Sequence, residues 1–244
     1  AEATDEQGYS TQNCVVCGDD EATRCDCYCD GHKAACTTMI ESFADEPVNL
    51  PELEYMEFHS NPLWPERFTS FPEGFFSLLG SLTRLGLKES KITALRPGSF
   101  DGLTSLEYID FSLCKLTSIP VGLFDKLSSM KHLGLRQMPG VRSLPDGVFA
   151  GLKSAPAWIE ITNNPYLGEV PADVFAGLTA LTRLDVWGYT RPGGVYPFLL
   201  PSLPDNAFAD LASLTELQIG RTQFRTLPGL GALTSVKKLI IKEL

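Results

Sequence analysis

Apolar residues return along most of this chain with a period of about two dozen positions. Units begin at Leu53, Leu82, Leu106, Met130, Pro156, Leu181, Leu214 and Val236, spaced 29, 24, 24, 26, 25, 33 and 22 residues apart. A repeat of this length decides the architecture before any local propensity does. From Leu82 the pattern reads LTRLGLKESKITALRPGSFDGLTS, and from Leu106 it reads LEYIDFSLCKLTSIPVGLFDKLSS. The opening LxxLxL alternates apolar and polar positions as a short strand does. The following xxLPxGxFxxLxx turns the chain back through an irregular or helical arm.

That alternation is the leucine-rich-repeat template. Each unit adds one strand to a parallel sheet, so the fold expected is α/β: a horseshoe solenoid with a parallel concave sheet behind a disulfide-rich N-terminal cap. Phe76, Phe100, Phe124, Phe149, Phe175 and Phe208 share one offset in six successive units and are expected to fill the convex half, aromatic against aromatic. The offset where a buried Asn satisfies backbone groups between turns holds Asn61, Ser90, Cys114, Met138, Asn164, Tyr189 and Thr222. Only two are asparagine, so other groups must satisfy the backbone there. Cys114 falls in this column and is expected to be a buried free thiol, in preference to a reactive or intermolecular one.

Within each strand the positions between the leucines point to the concave face. The columns run through Tyr55, Glu57 and His59; Arg84, Gly86 and Lys88; Tyr108, Asp110 and Ser112; His132, Gly134 and Arg136; Trp158, Glu160 and Thr162; Arg183, Asp185 and Trp187; and Glu216, Gln218 and Gly220. The candidate binding residues are Tyr108, Asp110, His132, Arg136, Trp158, Glu160, Arg183, Asp185, Trp187 and Gln218. Large aromatics outside a core are common anchors in binding sites. The competing reading is that Trp158 and Trp187 pack flat on neighbouring strands. The longest unit, from Leu181, carries RPGGVYPFLLP at residues 191–201, an insertion of about nine residues over the period. Arg191, Tyr196 and Phe198 either wall one end of the site, as loops on rigid scaffolds often do, or belong to a segment folded back over the neighbouring turn.

Charge changes this picture by its placement. The formal net charge is -10, yet residues 1–60 hold 14 Asp+Glu against 2 Lys+Arg, and residues 61–244 hold 16 against 18. The acidity belongs to the N-terminal segment, and the repeats are near neutral. A nucleic-acid partner is not expected from such a balance. Cys14, Cys17, Cys25, Cys27, Cys29 and Cys36 cluster in the same segment. Zinc would want a second CxxC or a His pair, and CxCxC supplies neither. The reading adopted is three disulfides in an oxidising compartment, with 15 pairings possible. We therefore divide the chain into an acidic tail and cysteine-rich cap over 1–52, and about seven repeats plus a final partial repeat over 53–244.

LTRLGL, LPDGVFAGL, VPADVFAGLTALTRLDV and LPDNAFADLASLTELQI resemble the repeats of extracellular leucine-rich-repeat receptors, with variable lymphocyte receptors and Toll-type ectodomains as the nearest likeness. The CxCxC cluster is similar to the N-terminal cap of those proteins, although the CxxC at Cys14 exceeds what a four-cysteine cap needs. Such a solenoid ordinarily closes with a second cysteine-rich cap, whereas this chain reaches VKKLIIKEL with no cysteine after Cys114. A truncated chain is the reading adopted. The resemblance implies a secreted or cell-surface recognition protein of innate-immune type. Its expected partner is a microbial surface glycan or protein antigen, with adhesion to a host protein as the alternative. No cofactor and no metal are expected. His32, His59 and His132 lie in different units without a nucleophile motif, so no enzyme is expected either. There is no uninterrupted apolar run to insert in a membrane, no residual signal peptide at Ala1, and no N-x-Ser/Thr sequon.

Overall fold

The computed structural model describes residues 27–30, 33–36, 51–58, 69–71, 73–152, 156–188, 190–191, 194–195, 202–222, 224, 227 and 229–242. Of Cys14, Cys17, Cys25, Tyr196 and Phe198, all lie outside these residues.

Twelve strands are described: β1 (Cys27–Asp30), β2 (Lys33–Cys36), β3 (Tyr55–Phe58), β4 (Arg84–Gly86), β5 (Tyr108–Asp110), β6 (His132–Arg136), β7 (Trp158–Thr162), β8 (Arg183–Trp187), β9 (Thr190–Arg191), β10 (Gly194–Val195), β11 (Glu216–Gly220) and β12 (Lys238–Lys242). Ten of them form one sheet in the order β1-β2-β3-β4-β5-β6-β7-β8-β11-β12. β1 and β2 pair antiparallel, and every later neighbour pairs parallel. The eight repeat strands therefore sit side by side in chain order, as a leucine-rich-repeat solenoid requires. The insertion in the long unit opens with a small antiparallel pair, β9 against β10.

The registers follow from the repeat. Tyr55 lies beside Arg84, Arg84 beside Tyr108, Tyr108 beside His132, His132 beside Trp158, Trp158 beside Arg183, and Arg183 beside Glu216. A slip of one residue would turn each leucine out to solvent, so burial on one face fixes the pairing. Leu85, Ile109, Leu133, Ile159, Leu184 and Leu217 are wholly buried behind the sheet. Each such side chain contributes roughly 1.5–3 kcal/mol of burial.

The phenylalanine column is buried throughout. Phe124 stacks on Phe149 at 6.3 Å, and Phe149 stacks on Phe175 at 6.4 Å with planes 2° apart. Phe111, from the strand side, sits between Phe100 and Phe124 at 6.0 and 6.2 Å. The return arms are turns with two short 3-10 segments, Ala150–Leu152 and Leu230–Ala232, and no α-helix occurs among the described residues. The irregular alternative for these arms is thus the one adopted. A unit of about two dozen residues leaves too little chain for a helix once the strand and the Pro- and Gly-bearing turns are placed.

Each strand leaves the sheet through a tight corner. Glu89, Leu113, Gln137, Asn163 and Arg221 all adopt positive φ, between 52° and 61°, immediately before the Asn-type column. In that column Asn164 donates from Nδ2 to the Leu135 carbonyl and accepts from the Met138 amide, both at 2.8 Å. Cys114 in the same column is buried and free, and burial pushes its thiol up to about 11.

Candidate ligand-binding face

The first concave column is held together by rings and guanidinium groups. Arg84 lies over the Tyr108 ring at 5.0 Å, and Tyr108 meets His132 edge-on at 4.7 Å. His132 stacks on Trp158 at 4.0 Å with planes 12° apart, and Arg183 covers the opposite side of that indole at 4.2 Å. These contacts cross five strands without interruption. The parallel register makes them possible, because neighbouring strands stand about 4.8 Å apart and flat groups at equivalent positions stack at nearly that spacing.

The second column carries the acids. Asp110, Glu160 and Asp185 are only 6%, 8% and 5% exposed, so each must be paired to be tolerated. Ser112 donates both its amide, at 2.8 Å, and its hydroxyl to Asp110 Oδ1. Arg136 donates from Nη2 to Asp110 Oδ2 at 2.7 Å and from Nε to the Ser112 hydroxyl at 2.9 Å. Its Nη1 also lies 3.6 Å from Glu160 Oε2. His132 Nε2 shares a hydrogen bond with the same Glu160 oxygen at 2.8 Å. The Trp158 indole N–H donates to Asp185 Oδ2 at 2.9 Å, and Arg183 grips that carboxylate from Nε and Nη2 at 3.0 and 2.9 Å.

The two aspartates respond oppositely to burial. Burial raises the Asp110 carboxyl, but the Ser112 hydroxyl and amide together with Arg136 outweigh it, and the net direction is downward. Burial also raises Asp185, and there the Arg183 and Trp158 hydrogen bonds do not overcome it. For Arg136, burial would lower its pKa, yet Asp110 and Glu160 prevail and raise it further. The network is therefore ionic at neutral pH around Asp110.

The third column is mixed: Ser112, Thr162 and Gly220 are buried, Arg136 and Trp187 are half-buried, and Lys88 is exposed. Trp187 is half-buried, and its ring leans over Gly220, where an added Cβ would meet ring atoms at 2.8 and 3.0 Å. On the same strand β11, Gln218 of the second column donates to Glu216 of the first, which also accepts from Lys238 at 2.7 Å.

Of the residues expected on this face, Tyr108, Asp110, His132, Arg136, Trp158, Glu160, Arg183, Asp185, Trp187 and Gln218 all lie on adjacent strands of the one sheet. The alternative for Trp158, flat packing against a neighbouring strand, describes its contacts: His132 covers one face and Arg183 the other. Arg191 lies on β9, beside the end of β8 in sequence, and the loop that follows lies outside the described residues. The expected list omitted Arg84 and Ser112. Their signal was present, since both stand in the concave columns and only the pairing was not legible. Among the described residues no cluster of His, Cys, Asp and Glu is arranged to hold a metal, and no helix is long and apolar enough to cross a membrane.

A leucine-rich-repeat family model matches residues 51–116 and 80–137. No curated protein matches the sequence. Among solved structures, the chain is similar to TLR13 in its complex with ssRNA13, at 25% identity and a TM-score of 0.60 over 80% of this chain. It is similar to Toll in the Drosophila Toll–Spatzle complex, at 24% identity and a TM-score of 0.59 over 79% of this chain. It is also similar to human 5T4, the Wnt-activated inhibitory factor 1 or trophoblast glycoprotein, at 21% identity and a TM-score of 0.63 over 89% of this chain. It spans 26% of the TLR13 chain, 27% of the Toll chain and 79% of the 5T4 chain. Sheet, repeat and matches together define a leucine-rich-repeat solenoid. This solenoid has the fold seen in TLR13, Toll and 5T4.

Proposed function

We propose that this protein is a non-catalytic extracellular recognition module of innate-immune type whose concave face binds a microbial surface molecule. The observation that carries this reading is the column from Arg84 to Arg183. Five large side chains are ordered in contact with one another on the face opposite the leucine core, where folding alone does not call for them. A pre-ordered set of rings and guanidinium groups loses little conformational freedom when a ligand docks. The likeness to Toll-type structures supports the immune reading, and the disulfide-rich reading of Cys14 to Cys36 supports an oxidising, extracellular compartment. The finer likeness to variable lymphocyte receptors rests on the repeat sequences alone.

A second reading, adhesion to a partner protein, is favoured by one observation. Both faces of Trp158 are covered, so this indole offers no open plate for a sugar ring, whereas a protein surface can engage ring edges and charges. The two are separated by measuring the whole chain against a panel of microbial polysaccharides and host cell-surface proteins, with Trp187→Ala as the site variant. Saturable binding to a microbial component that Trp187→Ala weakens at unchanged melting temperature supports the first reading. Binding confined to host proteins supports the second, and binding indifferent to Trp187 removes the site.

A further inference from the structure

Trp158 and Trp187 both stand on the concave sheet, yet their surroundings differ. Trp158 is enclosed: His132 and Arg183 cover its two faces, and its indole N–H donates to Asp185. Trp187 has no such partners. Among the described residues no ring and no cation lies over its indole, and its N–H donates to nothing. It is nevertheless seated. Its six-membered ring reaches across to β11 and takes the space above Gly220, where a Cβ would come within 2.8 and 3.0 Å of ring atoms. The side chain is left half-buried.

Polar groups with spare capacity flank this indole. The Thr162 hydroxyl, on the neighbouring strand in register with Trp187, has no partner among the described residues and yet is not sealed from solvent. Gln218 lies two residues before Gly220 on β11; its amide nitrogen donates to Glu216, and its Oε1 accepts nothing among the described residues. Strand spacing and rise put Gln218 about 8 Å diagonally from Trp187. The nearest charges are paired with one another, Asp185 with Arg183, and Glu216 with Arg183 and Lys238. Lys242, exposed on β12, stands two strands from Trp187, about 10 Å away.

We propose that Trp187 is the stacking platform of a subsite for a neutral sugar, with Thr162 and Gln218 as its hydrogen-bonding rim. This rests on the reading of the concave face as the recognition surface, and it names the ligand class that one part of that face takes. A pyranose ring presents C–H bonds on its face and hydroxyls around its edge. An indole with its own N–H, a hydroxyl and an amide oxygen answer both features at once. An apolar side chain from a protein partner would cover the indole and leave those three polar groups without partners as water is displaced, which disfavours it. A charged sugar would find no uncommitted counter-charge beside the indole, because Asp185, Arg183 and Glu216 already satisfy one another. With its ring already seated over Gly220, Trp187 loses little freedom when a sugar docks.

The test applies the whole chain to an array of neutral hexose and N-acetylhexosamine oligosaccharides, oligouronates, and peptides rich in proline and aromatic residues, and titrates whatever binds by calorimetry. At least one neutral oligosaccharide is expected to bind saturably and more tightly than any oligouronate or peptide. Trp187→Ala is expected to weaken it about tenfold at unchanged melting temperature, Trp187→Phe by less, and the near-isosteric Thr162→Val severalfold. Refusal of every neutral oligosaccharide, tighter binding of an oligouronate or a peptide, or affinity indifferent to both Trp187→Ala and Thr162→Val would each overturn the proposal. If neutral sugars are refused while a microbial protein binds in a Trp187-dependent way, the sugar inference fails and the recognition reading stands.

Discussion

Trp158 and His132 stack face to face, 4.0 Å apart and 12° from parallel, on neighbouring strands of the concave sheet. The same indole is covered by Arg183 and donates to the buried Asp185. It thus ties together β6, β7 and β8. Trp158→Ala should cost about 2–3 kcal/mol in urea unfolding, from lost stacking and from an indole donor withdrawn from a buried carboxylate. Trp158→Phe keeps a ring and loses only the donor, so about 1 kcal/mol is expected. Equal costs for the two would mean that the hydrogen bond, not the stack, holds the position.

Asn164 and Ser90 occupy the same offset of the repeat and behave differently. Asn164 satisfies two buried backbone groups, whereas the Ser90 hydroxyl is buried with no hydrogen-bond partner among the described residues. Asn164→Ala should destabilise the fold by about 2–4 kcal/mol, since it leaves a carbonyl and an amide unpaired. Ser90→Ala removes an unsatisfied hydroxyl and should be neutral or stabilising by up to about 1 kcal/mol. Denaturant midpoints of the two variants at a shared m-value decide this.

Asp110 and Asp185 predict opposite pH signatures. The folded pKa of Asp110 is depressed, so its contribution is fully present above the ordinary Asp value near 4 and is lost as pH falls through the lower folded value. Asp110→Asn should therefore lower stability at pH 7 and flatten the decline on acidification. The folded pKa of Asp185 is raised, so ionising it opposes folding, and this contribution is favourable below the ordinary value and lost as pH rises through the folded one. Asp185→Asn should cost less at pH 7 than Asp110→Asn. Urea midpoints measured from pH 7 downward test both signs, and an equal or larger cost for Asp185→Asn would contradict them.

Cys114 should be silent in the native protein. Its thiol is buried and burial holds it near 11, so little thiolate forms at neutral pH. Alkylation followed by peptide mapping should label Cys114 only under denaturing conditions. Rapid native labelling at that peptide would show that the column opens.

The period of the sequence was enough to place every repeat strand, because burial of one leucine face admits one register. The phenylalanine column was equally legible, since Phe124, Phe149 and Phe175 have no other apolar space to fill. The concave columns were legible as positions and not as contacts. Nothing in the spacing of His132, Trp158 and Arg183 says that they stack, because pairwise contact depends on rotamers chosen against neighbours from other units. The corner residues were not legible either. Leu113 adopts a φ of 61° while exposed, a conformation that its own side chain disfavours and the turn geometry imposes. Gly220 carried a readable signal in retrospect: the residue beside Trp187 in register has no side chain, and the indole uses that space.

The concave sheet is the recognition surface only if a bound ligand covers it. Hydroxyl-radical footprinting of the whole chain, free and with a bound ligand, reports this side chain by side chain. Protection should concentrate on the concave Tyr108 and Trp187, while the exposed Leu78 and Val121 of the return arms keep their free reactivity. Protection of Leu78 and Val121 with Tyr108 and Trp187 unchanged would contradict the assignment of the concave sheet as the recognition surface.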